Sequence, residues 1–338
     1  MNARACKVYL VKVSLVLAVV VVVVNVIVNV IVVASFAASA ANSAHDMLAA
    51  GRIDDAIAAL HARIASAPTD AEASNLLCRA YYALEDWKRA ESSCGKAVVL
   101  APGNGRFHLW LGRVYGEKAD RAGYMAAAGL AGKVREEFER AVQLDPKDMD
   151  ARENLTEFYI EAPGIMGGGE RKARQQAQFM AALNPAREHW VYARIAEKKK
   201  DAATAEREYR QSIALSKGDA EAWLDWAFFL RRQKRFDEME QALVKLSQAP
   251  MPKLDVLMEA AQILYGTGRS YPFATDLLRR YLAAGPVEAA PAFRAHYLLG
   301  VLLEKQGDRA GAAREYRASL SLAREFGMAQ QALNRVTH

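Results

Sequence analysis

The sequence predicts an all-α fold, an α-solenoid of stacked antiparallel helix pairs, on three observations. Ala56, Ala90, Ala205 and Ala312 each open the second helix of a unit that recurs roughly every 34 residues. Leu, Tyr and Trp recur at i, i+3 and i+4 within the units, which puts them on one buried helix face. Proline stands at the unit ends, at Pro68, Pro102, Pro146, Pro185, Pro250 and Pro286, and without an N–H it cannot continue a helix. One helix pair cannot bury such a face alone, so stability must come from stacking several.

The chain of 338 residues opens with Arg4, Lys7 and Lys12, then an apolar run from Val13 to Val33 broken by Ser14, Asn25 and Asn29. A small-residue stretch follows and ends in Ala38-Ser39-Ala40. A basic start, an apolar core and a small-residue cleavage motif describe an export signal over residues 1–40. The run also reaches the ~20 residues needed to cross a bilayer, so a retained anchor is the alternative. Either way the basic end stays in the cytoplasm. The repeats are then expected outside it, periplasmic or anchored in the inner membrane. Those 40 residues hold three basic and no acidic side chains, so the formal charge of +6 falls to +3 over the rest. That near-balance leaves no footprint for nucleic acid as a partner.

Eight units follow over residues 44–324. The first runs from Ala44 to Pro68 and turns at Gly51. The second holds Leu77, Cys78, Tyr81, Ala90, Cys94 and Ala97. The third reads His108-x-x-Leu111-Gly112-x-x-Tyr115, then Phe138, Ala141 and Pro146. Units three and four are longer, 44 and 39 residues from proline to proline, with insertions within 117–133 and 162–170. Unit five keeps Tyr192, Ala205 and Tyr209. Unit six has Trp223, Trp226, Ala227 and Leu230, with Met239 in the alanine place. Units seven and eight carry Ala261, Ala274, Leu278 and Tyr281, then His296, Leu299, Gly300 and Tyr316. Residues 325–338 keep a helical pattern and are expected to cap an open, apolar end. Tyr81, Trp110, Tyr115, Tyr159, Trp223 and Trp226 are expected in the core, because aromatic residues at helical spacing pack.

The third unit resembles the tetratricopeptide repeat, W-x2-L-G-x2-Y…A-x3-F…P, with His108 in place of Trp. The resemblance covers about residues 44–324. It implies a right-handed superhelix whose first helices line a concave face, and a protein or peptide as partner. It also implies ligand contacts at the second, fifth, ninth and twelfth positions of a unit. These fall on Asn75, Arg79 and Tyr82 in unit two, Arg106 and Arg113 in unit three, and Glu153 and Glu157 in unit four. Later units supply Trp190, Arg194, Phe228 and Arg231. Asn75, Arg79 and Arg113 resemble in part the clamp by which chaperone-binding members hold a C-terminal carboxylate. Glu153 and Glu157 depart from that clamp and would repel a carboxylate.

Little in the sequence carries chemistry. The six histidines, at 45, 61, 108, 189, 296 and 338, form no pair at metal-ligand spacing, and no G-x-S-x-G elbow is present. Asp54-Asp55 and Glu136-Glu137 read as solvated helix turns. The glycines from Gly164 to Lys172 lack the Gly-Lys-Ser/Thr ending and the preceding strand of a phosphate loop, and read as a tight connection. The expectation is a non-enzymatic scaffold with no cofactor and no metal, binding a peptide or helix in its groove. The alternative is an accessory subunit of an envelope machine for secretion, polymer export or outer-membrane assembly, engaged through the insertions and convex face. Met125, Leu130, Ile165 and Met166 would then form an adaptable apolar patch. With Cys6 in the leader, Cys78 and Cys94 remain as an even pair in an oxidising compartment. They are expected either to staple the second hairpin as a disulfide or to pack as small core residues.

Overall fold

A computed structural model describes residues 44–338. The basic start, Cys6, the apolar run from Val13 to Val33 and the expected cleavage motif lie outside the described residues. Among the described residues no helix is long and apolar enough to cross a membrane.

The helices pair in chain order. α1 (44–49) and α2 (Ile53–Ser66) form the first hairpin, α3 (Ala71–Ala83) and α4 (Trp87–Leu100) the second. α5 (Gly105–Asp120) and α6 (Tyr124–Leu144) form the third, α7 (Met149–Glu161) and α8 (Glu170–Ala181) the fourth. α9 (Pro185–Lys198) pairs with α10 (Ala202–Leu215), and α11 (Ala220–Arg232) with α12 (Phe236–Gln248). α13 (Val256–Thr267) pairs with α14 (Tyr271–Ala284), and α15 (Ala292–Lys305) with α16 (Arg309–Leu322). α17 (Gly327–Thr337) follows alone.

Local chemistry explains the boundaries. Asp70, Asp86, Asp148, Asp201, Asp219 and Asp308 precede α3, α4, α7, α10, α11 and α16. Each carboxylate accepts the backbone N–H three residues on, satisfying a donor the helix start leaves free. Between paired helices the chain turns through one left-handed residue, such as Gly51, Glu85, Lys200, Lys234 or Gly307. Ala56, Ala90, Ala205 and Ala312 are fully buried where the helices meet. Gly112 lets α5 and α6 approach further, since a Cβ there would fall 2.5 Å from the Phe138 ring. A disulfide joins Cys78 on α3 to Cys94 on α4, with Cα atoms 5.1 Å apart.

The two insertions behave differently. Residues 117–133 mostly extend helices, giving α5 16 residues and α6 21. The fourth-hairpin insertion forms a single 3-10 turn, Gly164–Met166, then three glycines. A Cβ on Gly168 would lie 1.9 Å from the Ala162 carbonyl oxygen, and Gly167 and Gly169 have positive φ. The glycines therefore serve a turn. Of the six aromatics expected in the core, Tyr81, Tyr159 and Trp226 are buried, whereas Trp110, Tyr115 and Trp223 are half-exposed.

The ends of the array meet, so the terminal segment expected to cap the last hairpin also lies against the first. Ala44, Leu48, Ile53 and Ala56 share one apolar cluster with Phe293, Ala323, Phe326 and Ala329. Gly51 presses on the start of α15, where a Cβ would come within 2.7 Å of the Ala292 backbone nitrogen. Polar contacts ring this seam. Asp54 accepts from the Arg324 backbone N–H at 3.0 Å and from its guanidinium at 2.9 Å. Arg89 reaches Glu325 at 2.7 Å, and Arg294 donates to the Ala83 carbonyl at 3.0 Å and to Glu85 at 2.8 Å. α17 packs on α15 and α16 and, through Phe326 and Ala329, the same terminal segment covers α1 and α2. The eight hairpins thus form a closed ring.

Candidate functional site in the lumen of the ring

The first helices of the pairs line the inside, and side chains at i and i+4 project from each into the same space. Glu153 and Glu157 of α7, Trp190 and Arg194 of α9, and Phe228 and Arg231 of α11 together line one cleft of about 400 Å³. Beneath it lies Arg187, buried between Glu153 at 2.7 Å, Asp225 at 2.7 Å and Glu221 at 3.9 Å. Burial holds the Glu153 carboxyl above its ordinary range and pushes Asp225 up to about 6, against the pull of Arg187. Arg194 is taken up by Glu157, by Glu161 at 3.0 Å and by Glu197 at 3.1 Å. Arg231 differs. Among the described residues its guanidinium has no acidic partner, and it lies 5.1 Å from the Phe228 ring centroid. Burial and the neighbouring Arg232 lower its pKa. A free guanidinium beside the Trp190 and Phe228 rings can accept a carboxylate while the rings take an apolar group.

Arg79, Tyr82, Arg106 and Arg113 line a second cleft, of about 690 Å³, between α3 and α5. Trp110 walls it, with the guanidinium carbons of Arg79 and Arg113 at 5.2 and 4.8 Å from its ring centroid. Arg113 sits 3.4 Å from the Asn154 side chain and 3.8 Å from Asp150. Arg79 is only 4% exposed, and its Nε and Nη2 both donate to the carboxylate of Glu288, on the loop joining α14 to α15. Asn75, one turn earlier on α3, is fully buried and its amide has no partner. The expected clamp of Asn75, Arg79 and Arg113 is therefore corrected. Asn75 is not accessible, and Arg79 already holds a carboxylate of its own chain. The cause is ring closure, which carries residue 288 across to α3.

Asp255 and Glu259 line a third cleft, of about 360 Å³, between α13 and the α3–α5 wall. Neither has an ion-pair partner among the described residues. Burial raises both, and with Asp255, Asp225 and Glu221 nearby Glu259 is pushed up to about 7. Sequence reasoning missed Arg187, Asp255, Glu259 and Glu288. The first lies a turn before Trp190 on the same helix. Arg187 and Asp255 stand at the second position of units five and seven, which the repeat pattern marks, whereas Glu259 and Glu288 lie at positions it does not mark.

At the rim, Met125 and Ile165 are 83% and 89% exposed, while Leu130 and Met166 are half-buried. Of these four, Met166 lines a cleft of about 520 Å³ with Val134 and Phe138 of α6 and with Phe158 and Pro163. The two insertions therefore meet around one apolar hollow. Among the described residues no group of His, Cys, Asp and Glu is placed to hold a metal ion.

Stacked hairpins with first helices lining the inside define a helical-repeat scaffold for protein–protein interaction. Family models of the tetratricopeptide repeat match residues 47–96 and 293–326. They identify tetratricopeptide repeats in those two stretches of a chain built throughout from helical hairpins. It is similar in fold to yeast Tom70, at 14% identity and a TM-score of 0.50, covering 84% of this chain and 58% of that one. The chain thus spans under two thirds of Tom70. A thermophilic repeat protein of Thermus thermophilus gives 17% identity and a TM-score of 0.46, over 57% of this chain and 98% of that one. PilW, a type IV pilus biogenesis factor, gives 14% and 0.47, over 63% and 93%. No curated protein sequence matches the chain.

Proposed function

We propose that the chain is a non-enzymatic adaptor of the cell envelope that holds a segment of a protein partner inside its ring, in the cleft of α7, α9 and α11. The observation that carries this reading is Arg231, a half-buried cation without an acidic partner, set beside Phe228 in a cleft whose other charges are paired. A carboxylate next to an apolar side chain complements that arrangement. The envelope location rests on the basic start, the apolar run and the Ala38-Ser39-Ala40 motif. A second reading, attachment of an envelope machine at the insertions, draws on exposed Tyr124, Met125 and Ile165 beside the rim hollow.

Crosslinking in the protein's own cells, followed by mass spectrometry, tests the choice. The first reading expects a partner captured by the unaltered protein, lost from Arg231→Glu and kept by Met125→Ser/Ile165→Ser. The opposite pattern rejects lumen binding in favour of the rim.

A further inference from the structure

We infer that the first two hairpins form one rigid leaf that swings out at the seam, so that the ring opens sideways and admits a partner segment without threading it. The admission rests on reading the lumen as the binding surface; the motion does not.

The buried apolar residues fall into two clusters that share no buried member. One begins at Leu109 and Val134, on α5 and α6, and runs through the later hairpins to Val336 on α17. The other is centred on α1 to α4. It takes in only Leu111 and Val114 from α5, and Phe293, Ala323, Phe326 and Ala329 from the far end of the array. Within this second cluster the two hairpins are tied into one piece. The Cys78–Cys94 disulfide joins α3 to α4, and the His61 ring on α2 meets the Tyr81 hydroxyl on α3 at 3.0 Å. Arg63 donates to Asp70 at 2.6 Å across the turn between the hairpins. A body packed and stapled in this way moves as a unit, because close-packed cores do not deform continuously.

The two borders of the leaf differ. At α5 the chain is continuous through the turn 101–104, and a Cβ on Gly103 would meet nothing within 4 Å. A few such loop residues, free to change φ and ψ, suffice for a hinge. Beside it Tyr82 stays edge-on to Trp110, with centroids 5.4 Å apart. At the seam no chain connects the two sides, and many of the facing residues are small: Gly51 and Ala44 on the leaf, Ala292, Ala323 and Ala329 opposite. Phe326 is held from its own side, against Phe293 and Tyr297. The leaf therefore parts without drawing that ring with it.

The remaining seam contacts are polar. Arg324 and Glu325 are 83% and 62% exposed in their pairs with Asp54 and Arg89, and ion pairs of that kind add little to closure. Arg79 and Glu288 are buried, but each regains water as they separate, which offsets the lost attraction. Arg79 and Tyr82 ride on α3 and wall the clefts of about 690 and 360 Å³, so the swing widens both. The cleft of α7, α9 and α11 lies wholly outside the leaf.

Paired nitroxide labels on the full chain read the motion directly. Cysteines are placed in a Cys6→Ser background, where Cys78 and Cys94 are bonded to each other and do not react. Asp55→Cys/Gln330→Cys spans the seam, and Gln211→Cys/Lys245→Cys spans an interior junction; all four sites are exposed. The charge reversal Arg324→Glu/Glu325→Arg sets like charges against Asp54 and Arg89, and Arg324→Gln/Glu325→Gln is the milder form. Electron–electron distances in the reversed protein are expected to show a second, longer separation across the seam in at least about 10% of molecules. The neutral form falls between it and the parent. The interior pair keeps one distance throughout, and amides of α1 to α4 stay protected from hydrogen exchange, as a leaf moving whole requires. One unchanged seam distance in both variants overturns the inference. So does a smeared distance with loss of protection in α1 and α2, which describes fraying of the first hairpin. No ligand enters the measurement, so its outcome is separate from that of the Arg231 cleft.

Discussion

Gly300 on α15 lies directly under the Tyr316 ring of α16. A Cβ on Gly300 would fall 2.6 Å from the tyrosine Cε1, while the same tyrosine hydroxyl donates to Glu304 at 2.7 Å. The ring is thus seated on bare backbone and pinned at its far end. Gly300→Ala is expected to destabilise by roughly 1–3 kcal/mol through overpacking. Gly95 on α4 has nothing within 4 Å of its Cβ direction, so Gly95→Ala should stabilise by up to about 1 kcal/mol. Urea midpoints of the two variants check this, and a Gly300→Ala midpoint at or above that of the parent would refute the seating.

The Cys78–Cys94 bond closes a hairpin over a sequence separation of 16. Reduction is expected to lower stability by roughly 3 kcal/mol. Thiol alkylation of the denatured protein should label neither cysteine until reductant is added. Equal labelling with and without reductant would remove the bond from the account.

Stability should depend on pH near neutrality. Glu259 is held at about 7 in the fold, above its ordinary value of 4.5, by burial and then by neighbouring carboxylates. Between those values the folded protein binds more protons than the unfolded chain, so stability is greatest below the lower one and falls as pH rises through the upper. Glu259→Gln should remove that slope, stabilising by an order of 2–3 kcal/mol at pH ~8 and by little at pH ~5. Thermal unfolding at the two values measures it, and an equal gain at both would assign the effect to packing instead.

Phe326 belongs to the core shared by both ends of the array, with ring centroids 4.9 Å from Phe293 and 5.3 Å from Tyr297. Phe326→Ala is expected to cost about 3–5 kcal/mol. Hydrogen exchange should then quicken in α1 and α2 as well as in α17. Faster exchange confined to α17 would describe an open stack and not a ring.

The helix pairs were legible because repeat packing is local. Small residues at Ala56, Ala90 and Gly112, aromatic residues one turn away and proline at unit ends all act within some tens of residues. The grouping of Glu153, Glu157, Trp190, Arg194, Phe228 and Arg231 was equally readable, since equivalent positions on successive first helices face one space. Closure was not. Asp54, taken for a solvated turn residue, binds Arg324 across 270 positions of sequence, and nothing in either neighbourhood marks the other. Glu137, read the same way, is bonded by His108 at 2.6 Å, while the second ring nitrogen of that histidine meets the Pro102 carbonyl at 3.0 Å. A polar ring in the tryptophan place thus required an acid one helix away. Asn75 and Arg79 sit at positions where the repeat offers side chains to a ligand, yet both are buried, Arg79 against Glu288 from across the seam.

Closure also changes what chain order means for this protein. With α1 and the start of α17 in one core, the described array could be opened between α12 and α13, in the loop 249–255, and its old ends joined by a linker of roughly a dozen residues. Each hairpin of such a circular permutant would keep both of its neighbours. What the native chain treats as its first and last hairpins would become an interior junction like any other.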